Sequence, residues 1–286
     1  MSQARWTKLS DRGVISIAGE DARPFLDNLV TSDVSDLGNG EARFAALLTP
    51  QGKILFEFFA VWDDRNRRFL LDVARDKISD LVKRFALYKL RAKVTIANES
   101  EQFAVGAAWH GARDLLKQYC LCYADPRRDQ LGLRLIATAD FVPQILAALG
   151  QEVSPDAYHA RRIALGIPEG GKDYAFGDAF PHEVNMDRLN GVSFSKGCFV
   201  GQEVVARMQH KTVVRKHIVR VTGTVPLTTG AEIKVGEATI GTVGSVSANS
   251  GLAMLRLDRV IEALDKGQAI TSGGHPLTVD AEPLDL

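Results

Sequence analysis

Cys198 is the residue best placed to do chemistry. The run Lys196-Gly197-Cys198-Phe199-Val200-Gly201-Gln202-Glu203 sets one thiol between two glycines and beside a lysine, just ahead of a helix predicted over 202–209. Glycines let backbone bend sharply or come close to a ligand. An ammonium and a helix N-terminus both favour a thiolate. The run reads as a reactive or ligand-contacting thiol. It reads equally as a small buried residue chosen for size in a tight turn.

Glu203 and Arg207 stand four apart, acid first, as a helical ion pair would. Val204, Val205 and Met208 give the same helix a buried side. Arg207, His210, Lys211, Arg215, Lys216, His217 and Arg220 form the one basic cluster of the chain. Such a patch suits an anionic ligand or an RNA phosphate, and it also suits a solvated face. Upstream, Pro181-His182-Glu183-Val184-Asn185 gathers an imidazole, a carboxylate and an amide in an irregular stretch. A carboxylate accepts paired N–H groups and an amide both donates and accepts, so Glu183 and Asn185 could read the edge of a heterocycle. Local turn formation by polar side chains is the competing reading. Cys120 and Cys122 would share one face of a strand. With the third cysteine remote they fall short of a metal site, so a core strand is expected and no metal ligands are assigned. His110, His159 and His275 show no partner pattern.

Positioning these groups takes 286 residues, enough for two or more compact units. Lys plus Arg and Asp plus Glu are 35 each, so bulk charge argues for neither nucleic acid nor membrane. Three cysteines make no disulfide framework and point to a reducing compartment. No signal-peptide core or bilayer-length apolar run stands out, so a cytoplasmic protein is expected.

Residues 14–18 read as a strand, 22–29 as a helix, and 44–48, 54–61 and 69–73 as strands. Thr49-Pro50-Gln51-Gly52 has the composition of a tight turn. Ile78, Leu81, Val82 and Phe85 form the stripe of a helix over 76–86, and the alternation from Leu90 to Ile96 predicts a strand. The order suggests an α+β sandwich of split βαβ type. A second round follows, with strands at 103–108 and 131–136. A helix capped by Asp140 would carry Phe141, Ile145, Leu146 and Leu149. Another begins at Ser154-Pro155-Asp156 and ends near Gly166. From Arg215 onward, short strands with glycine-rich joints predict a small antiparallel barrel. The division expected is an α+β region over 1–210, built from two interleaved subdomains, and a barrel over 211–286.

The stretch from Asn190 to Glu203 resembles the signature of the YgfZ folate-binding proteins, relatives of the glycine-cleavage T-protein (aminomethyltransferase). Phe25-Leu26 through Thr31-Ser32-Asp33-Val34, then Leu48-Thr49-Pro50-Gln51-Gly52-Lys53-Ile54, and Gly166-Ile167-Pro168-Glu169-Gly170 through Asn185 are similar to other parts of that family. The resemblance implies compact parts around a central opening that holds tetrahydrofolate. It implies a role with iron–sulfur client proteins in cluster assembly or repair, including enzymes that modify tRNA. It marks Cys198 and Lys196 as the acting residues, and Glu183, Asn185, Gly201, Gln202, Glu203 and Arg207 as folate-binding. A weak tRNA contact through the basic cluster goes with it. The alternative is a folate-dependent aminomethyl or one-carbon transferase. T-proteins use an aspartate in an asparagine-containing pass from strand to helix. Here that pass reads Leu71-Asp72-Val73-Ala74-Arg75-Asp76, with Asp80 beyond.

Overall fold

The computed structural model describes residues 4–110, 120–140, 144, 147, 150–211 and 214–280. Two compact units emerge: one from Met1–Leu48, Leu55–Tyr158 and Leu189–Val200, the other from Thr49–Ile54, His159–Arg188 and Gly201–Leu286.

The first unit holds two five-stranded sheets. Strands β1 (Arg5–Lys8) and β2 (Arg12–Ala18) are consecutive in the chain but enter different sheets. One sheet has the order β3-β4-β5-β2-β6, with β3 Ala42–Leu48, β4 Ile54–Asp63, β5 Arg68–Ala74 and β6 Thr95–Asn98. The other is β10-β1-β7-β9-β8, with β7 Phe103–Trp109, β8 Leu121–Ala124, β9 Leu133–Thr138 and β10 Gln151–Glu152. Strand alternation sorts the side chains. Ile15, Ile17, Phe58, Phe69, Leu71 and Val73 pack under helices α1 (Ala22–Asp27) and α2 (Ile78–Lys89) through Phe25, Leu26, Leu81 and Phe85. Asp72 and Phe59 point the other way, toward Arg134 and Tyr123 of the second sheet.

The expected elements are present with shifted ends. The strand expected from Leu90 shrinks to Thr95–Asn98. Helix α2 runs on to Lys89, and Leu90 turns the chain at φ 43° with 88% of its surface exposed. The helix expected after Asp140 lies outside the described residues. Cys122 packs into an apolar cluster with Trp6, Leu133 and Leu135, and Cys120 rests against it. The hydrogen bond between the two thiols, and then burial, push the half-buried Cys120 thiol well up.

Helix α3 (Pro155–Ala164) starts in the first unit and ends in the second, which also carries helix α4 (Gln202–Lys211) and the barrel. Ser154 caps α3 by accepting from the Asp156 N–H at 3.1 Å. The barrel is closed and antiparallel, in the order β11-β14-β13-β12-β15-β16. Its strands are β11 Lys216–Gly223, β12 Glu232–Val235, β13 Ala238–Ser247, β14 Ser250–Arg256, β15 Ile270–Ser272 and β16 His275–Val279. Helix α5 (Leu257–Asp265) buries Leu257, Val260 and Ala263 in the same core as Val219, Ile233 and Leu255. The fold is thus the mixed α/β class with a C-terminal barrel that the sequence predicts.

Candidate functional site

The signature loop is built onto the edge of the first sheet. Strand β3 ends that sheet, and the segment 30–32 lies along it: the Thr31 N–H donates to the Ala46 carbonyl at 3.0 Å. The loop is laid on top of that segment. The Ser193 N–H donates to the Thr31 carbonyl at 2.8 Å, and the Thr31 hydroxyl donates to the Gly191 carbonyl at 2.6 Å. Two stretches that stand apart in sequence, around Thr31 and around Ser193, are therefore neighbours in space.

Lys196 locks this arrangement from beneath. Its side chain is 1% exposed. The ammonium donates to Asp27 O at 2.6 Å, Asp27 Oδ1 at 2.9 Å, Ser32 O at 2.8 Å and Val30 O at 3.1 Å. Three N–H bonds shared among four oxygens use up the donor capacity of an ammonium. Lys196 is thus a buried fastener, where the sequence suggested a cation at the disposal of the thiol. Cys198, two residues on, is exposed, as are Gly197 and Phe194. The reading of Cys198 as a small buried residue is set aside by that exposure. A cleft of about 510 Å³ opens beside the loop, lined by Ser32, Asp33, Arg43, Asn190, Ser193 and Phe194 among others. Its volume lies in the range of small-molecule clefts.

The remaining candidates belong to the second unit. Glu183, half-buried, closes a short 3₁₀ turn, Pro181–Val184: its carboxylate accepts from the Phe180 N–H at 2.8 Å, and its own N–H donates to the Phe180 carbonyl. Asn185 follows in a left-handed conformation. Both ends of its amide are engaged, Nδ2 donating to Ile218 O at 2.7 Å and Oδ1 lying 3.3 Å from His217 Nδ1. The amide ties the turn to β11, more than thirty residues away in the chain. His182 Nε2 lies 2.9 Å from Gln209 Oε1, joining the same turn to α4. Gly201 has φ +82°, leading into α4 at Gln202. Glu203 and Arg207 are exposed on that helix while Val205 is buried. The turn at 49–52 packs against α4: a Cβ on Gly52 would stand 2.9 Å from Val204 Cβ.

The basic cluster is smaller than the sequence suggests. His217 is buried, and burial followed by the charge of Arg188 holds its imidazole below the usual range. Arg220 is ion-paired with Asp280 and donates to Ala164 O at 2.6 Å. Arg207, Arg215 and Lys216 remain at the surface.

The strand-to-helix pass holds a network that the sequence reading missed. Asp72 is fully buried between Arg12 Nε at 2.6 Å, Arg134 at 2.6 Å and the Tyr123 hydroxyl at 2.9 Å. Arg134 and Arg127 both donate to the Tyr158 hydroxyl, and Arg127 pairs with Asp125 at 2.8 Å. Phe59 lies within 6 Å of the Arg12, Arg127 and Arg134 guanidiniums, at 5.7, 4.7 and 4.4 Å. Burial alone would raise the Asp72 carboxyl, but Arg12 and Arg134 outweigh it and hold it low. Asp76 and Asp80 sit at the surface beside Lys77 and Lys83.

Comparison with known proteins places the chain in a family. Residues 215–283 match the family described as CAF17, C-terminal beta-barrel domain. The mitochondrial iron-sulfur cluster assembly factor IBA57 homolog of Neurospora crassa is 33% identical over 76% of this chain and 53% of its own length. The chain spans about half the length of the first fungal relatives it matches. The human mitochondrial iron-sulfur cluster assembly factor IBA57 is 32% identical over 90% of this chain and 79% of its own. The glycine cleavage system aminomethyltransferase T of Bartonella henselae shares the fold: TM-score 0.76 and 15% identity, with 99% of this chain and 86% of that one covered. The IBA57 relatives correct the expectation of a cytoplasmic protein, since they are named as mitochondrial. A low cysteine count reports a reducing environment, which does not distinguish one such compartment from another. Among the described residues no helix is long and apolar enough to cross a membrane. With a human relative matched over nearly four-fifths of its length, the chain belongs to the family of the iron-sulfur cluster assembly factor IBA57.

Proposed function

We propose that this chain is a tetrahydrofolate-binding accessory factor for the assembly or repair of iron–sulfur proteins, of the YgfZ type, with the thiol of Cys198 as its acting group. The observation that carries the reading is an exposed cysteine on a fastened loop, in a chain whose relatives are named for cluster assembly. Its clients are iron–sulfur proteins, tRNA-modifying enzymes among them. Weak tRNA contact falls to Arg207, Arg215 and Lys216. Folate is assigned to the region 1–210 and the barrel module to 211–286. Glu183 is the carboxylate proposed to meet the pterin, with Asn185, Gly201, Gln202, Glu203 and Arg207 supporting it. The buried ion pairs of Asp72 argue against an aspartate base in the strand-to-helix pass, and so against aminomethyl transfer.

Calorimetric titration with tetrahydrofolate tests the ligand. The wild type is expected to bind, and Glu183→Gln to bind at least tenfold more weakly. Glutamine keeps an oxygen for the Phe180 N–H, so a loss would report the charge and not a loosened turn. A wild type silent at millimolar tetrahydrofolate refutes the folate assignment. Cells lacking the endogenous factor test the thiol: Cys198→Ala should fail to restore iron–sulfur enzyme activity, and full restoration removes the thiol from the mechanism. Formation of methylene-tetrahydrofolate from an aminomethyl donor would move the reading to a one-carbon transferase.

A further inference from the structure

Asp27 lies in the helix that the sequence predicts but carries no role there, yet the signature loop converges on it. It sits at the last position of α1. Its Oδ1 accepts from the Val34 N–H at 3.0 Å and from Lys196 Nζ at 2.9 Å, and its carbonyl takes a second bond from the same ammonium. One carboxylate therefore closes the turn 27–34 and supplies the countercharge for a lysine whose side chain is 1% exposed. The other three oxygens around the ammonium are neutral carbonyls. A buried ammonium without a countercharge is unfavourable, whereas one with an anion and carbonyls around it is stable. The fastener depends on Asp27 in a way that it depends on no single carbonyl.

The backbone around the loop gives the lock its leverage. The Lys196 N–H donates to Ser193 Oγ at 3.2 Å, so the residue that reaches down to Asp27 also closes the turn 193–196. Phe199 is buried and Lys196 Nζ lies 5.8 Å from its ring, which fixes the far side. Cys198 is held between two anchored positions while its own side chain remains exposed. That is how a short loop presents a thiol in one place without burying it.

We propose that Asp27 is the positioning residue for Cys198: through the buried ammonium of Lys196 it fixes the loop that carries the thiol. The proposal rests on the reading of Cys198 as the acting group, but its geometric half is measurable without any client protein.

A nitroxide attached at Cys198, in a background with Cys120 and Cys122 changed to serine, reads the loop directly. The labelled parent should give the broad line of a restrained side chain. Asp27→Asn keeps the shape and the acceptor for Val34 but removes the charge. Its label should tumble at least threefold faster, and so should that of Lys196→Met. The double variant should show no more than either single change, because both break one link. Amide exchange over 190–200 should rise at least tenfold in the same variants and stay unchanged in the barrel strands, which separates loosening of the loop from loss of the fold. If Asp27→Asn fails to fold, the double variant decides, since it leaves no orphaned charge. An unchanged line shape in a folded Asp27→Asn or double variant overturns the proposal. The functional half has its own readout: Asp27→Asn should restore iron–sulfur enzyme activity at least fivefold less well than wild type. Should Cys198→Ala prove fully active while the label still loosens, the thiol reading fails and the positional role of Asp27 stands.

Discussion

Thr31 and Gly191, 160 residues apart, are joined by a hydrogen bond of 2.6 Å from the Thr31 hydroxyl to the Gly191 carbonyl. The same hydroxyl accepts from the Ala46 N–H at 2.9 Å. One oxygen thus connects strand β3 to the signature loop. Thr31→Val keeps the volume and leaves both backbone groups unpaired. It should cost about 1–3 kcal/mol in urea denaturation. A variant with an unmoved midpoint would show the hydroxyl to be dispensable.

Asp72 makes a larger claim. Asp72→Asn leaves Arg12 and Arg134 facing a neutral amide in a buried site, and should cost about 3–5 kcal/mol. The pH dependence has a definite sign. The folded carboxyl is held below its unfolded value of about 3.9, so the stabilisation is present above that pH and fades as pH falls toward the folded midpoint. Wild type should lose stability on acidification below about pH 4 more steeply than Asp72→Asn. Equal slopes would mean that the carboxylate is not the titrating partner.

His217 gives a second pH dependence. Burial first, and Arg188 next, hold its imidazole below the ordinary value, so the fold prefers the neutral ring. The contribution is complete above about pH 6.5 and is lost as pH falls. Between pH 7 and 5.5 the wild type should lose up to about 1.4 kcal/mol per pH unit that a His217→Gln variant keeps. Parallel stability curves for the two proteins would rule this out.

Gly52 tests the seat of α4. At φ +81° an alanine costs about 1–2 kcal/mol from backbone conformation alone, and its Cβ would also press on Val204. Gly52→Ala should therefore destabilise by more than that backbone cost. Adding Val204→Ala should return the steric part and leave the backbone part. If the second change returns nothing, the contact with Val204 is not what makes glycine necessary.

Most of the architecture was legible because burial imposes period. The stripe Ile78, Leu81, Phe85 and the β-rich tail both sit where their patterns point. The ends were less so: Leu90 continues an alternating pattern yet sits at a helix stop, because a turn and not a face decides its place. The neighbours of Cys198 left it open whether the thiol is buried or exposed, and the structure exposes it. Lys196 was misread, because a lysine beside a cysteine looks like an activating charge until four oxygens around it are seen. Asp27 offered no signal of its own. Asp72 did: a lone acid within Phe69-Leu70-Leu71-Asp72-Val73 can sit in a buried strand only if arginines meet it. Which arginines depends on a second sheet that local pattern does not reveal.

The ammonium of Lys196 occupies the kind of oxygen cage in which other loops hold a free alkali metal. A cation on a covalent tether cannot be washed out, exchanged or outcompeted, and at 1% exposure the salt of the medium scarcely reaches it. The loop that bears Cys198 should therefore keep its order through dialysis, chelation and changes of potassium or sodium, answering to the genes that encode its tether and not to the ions around it.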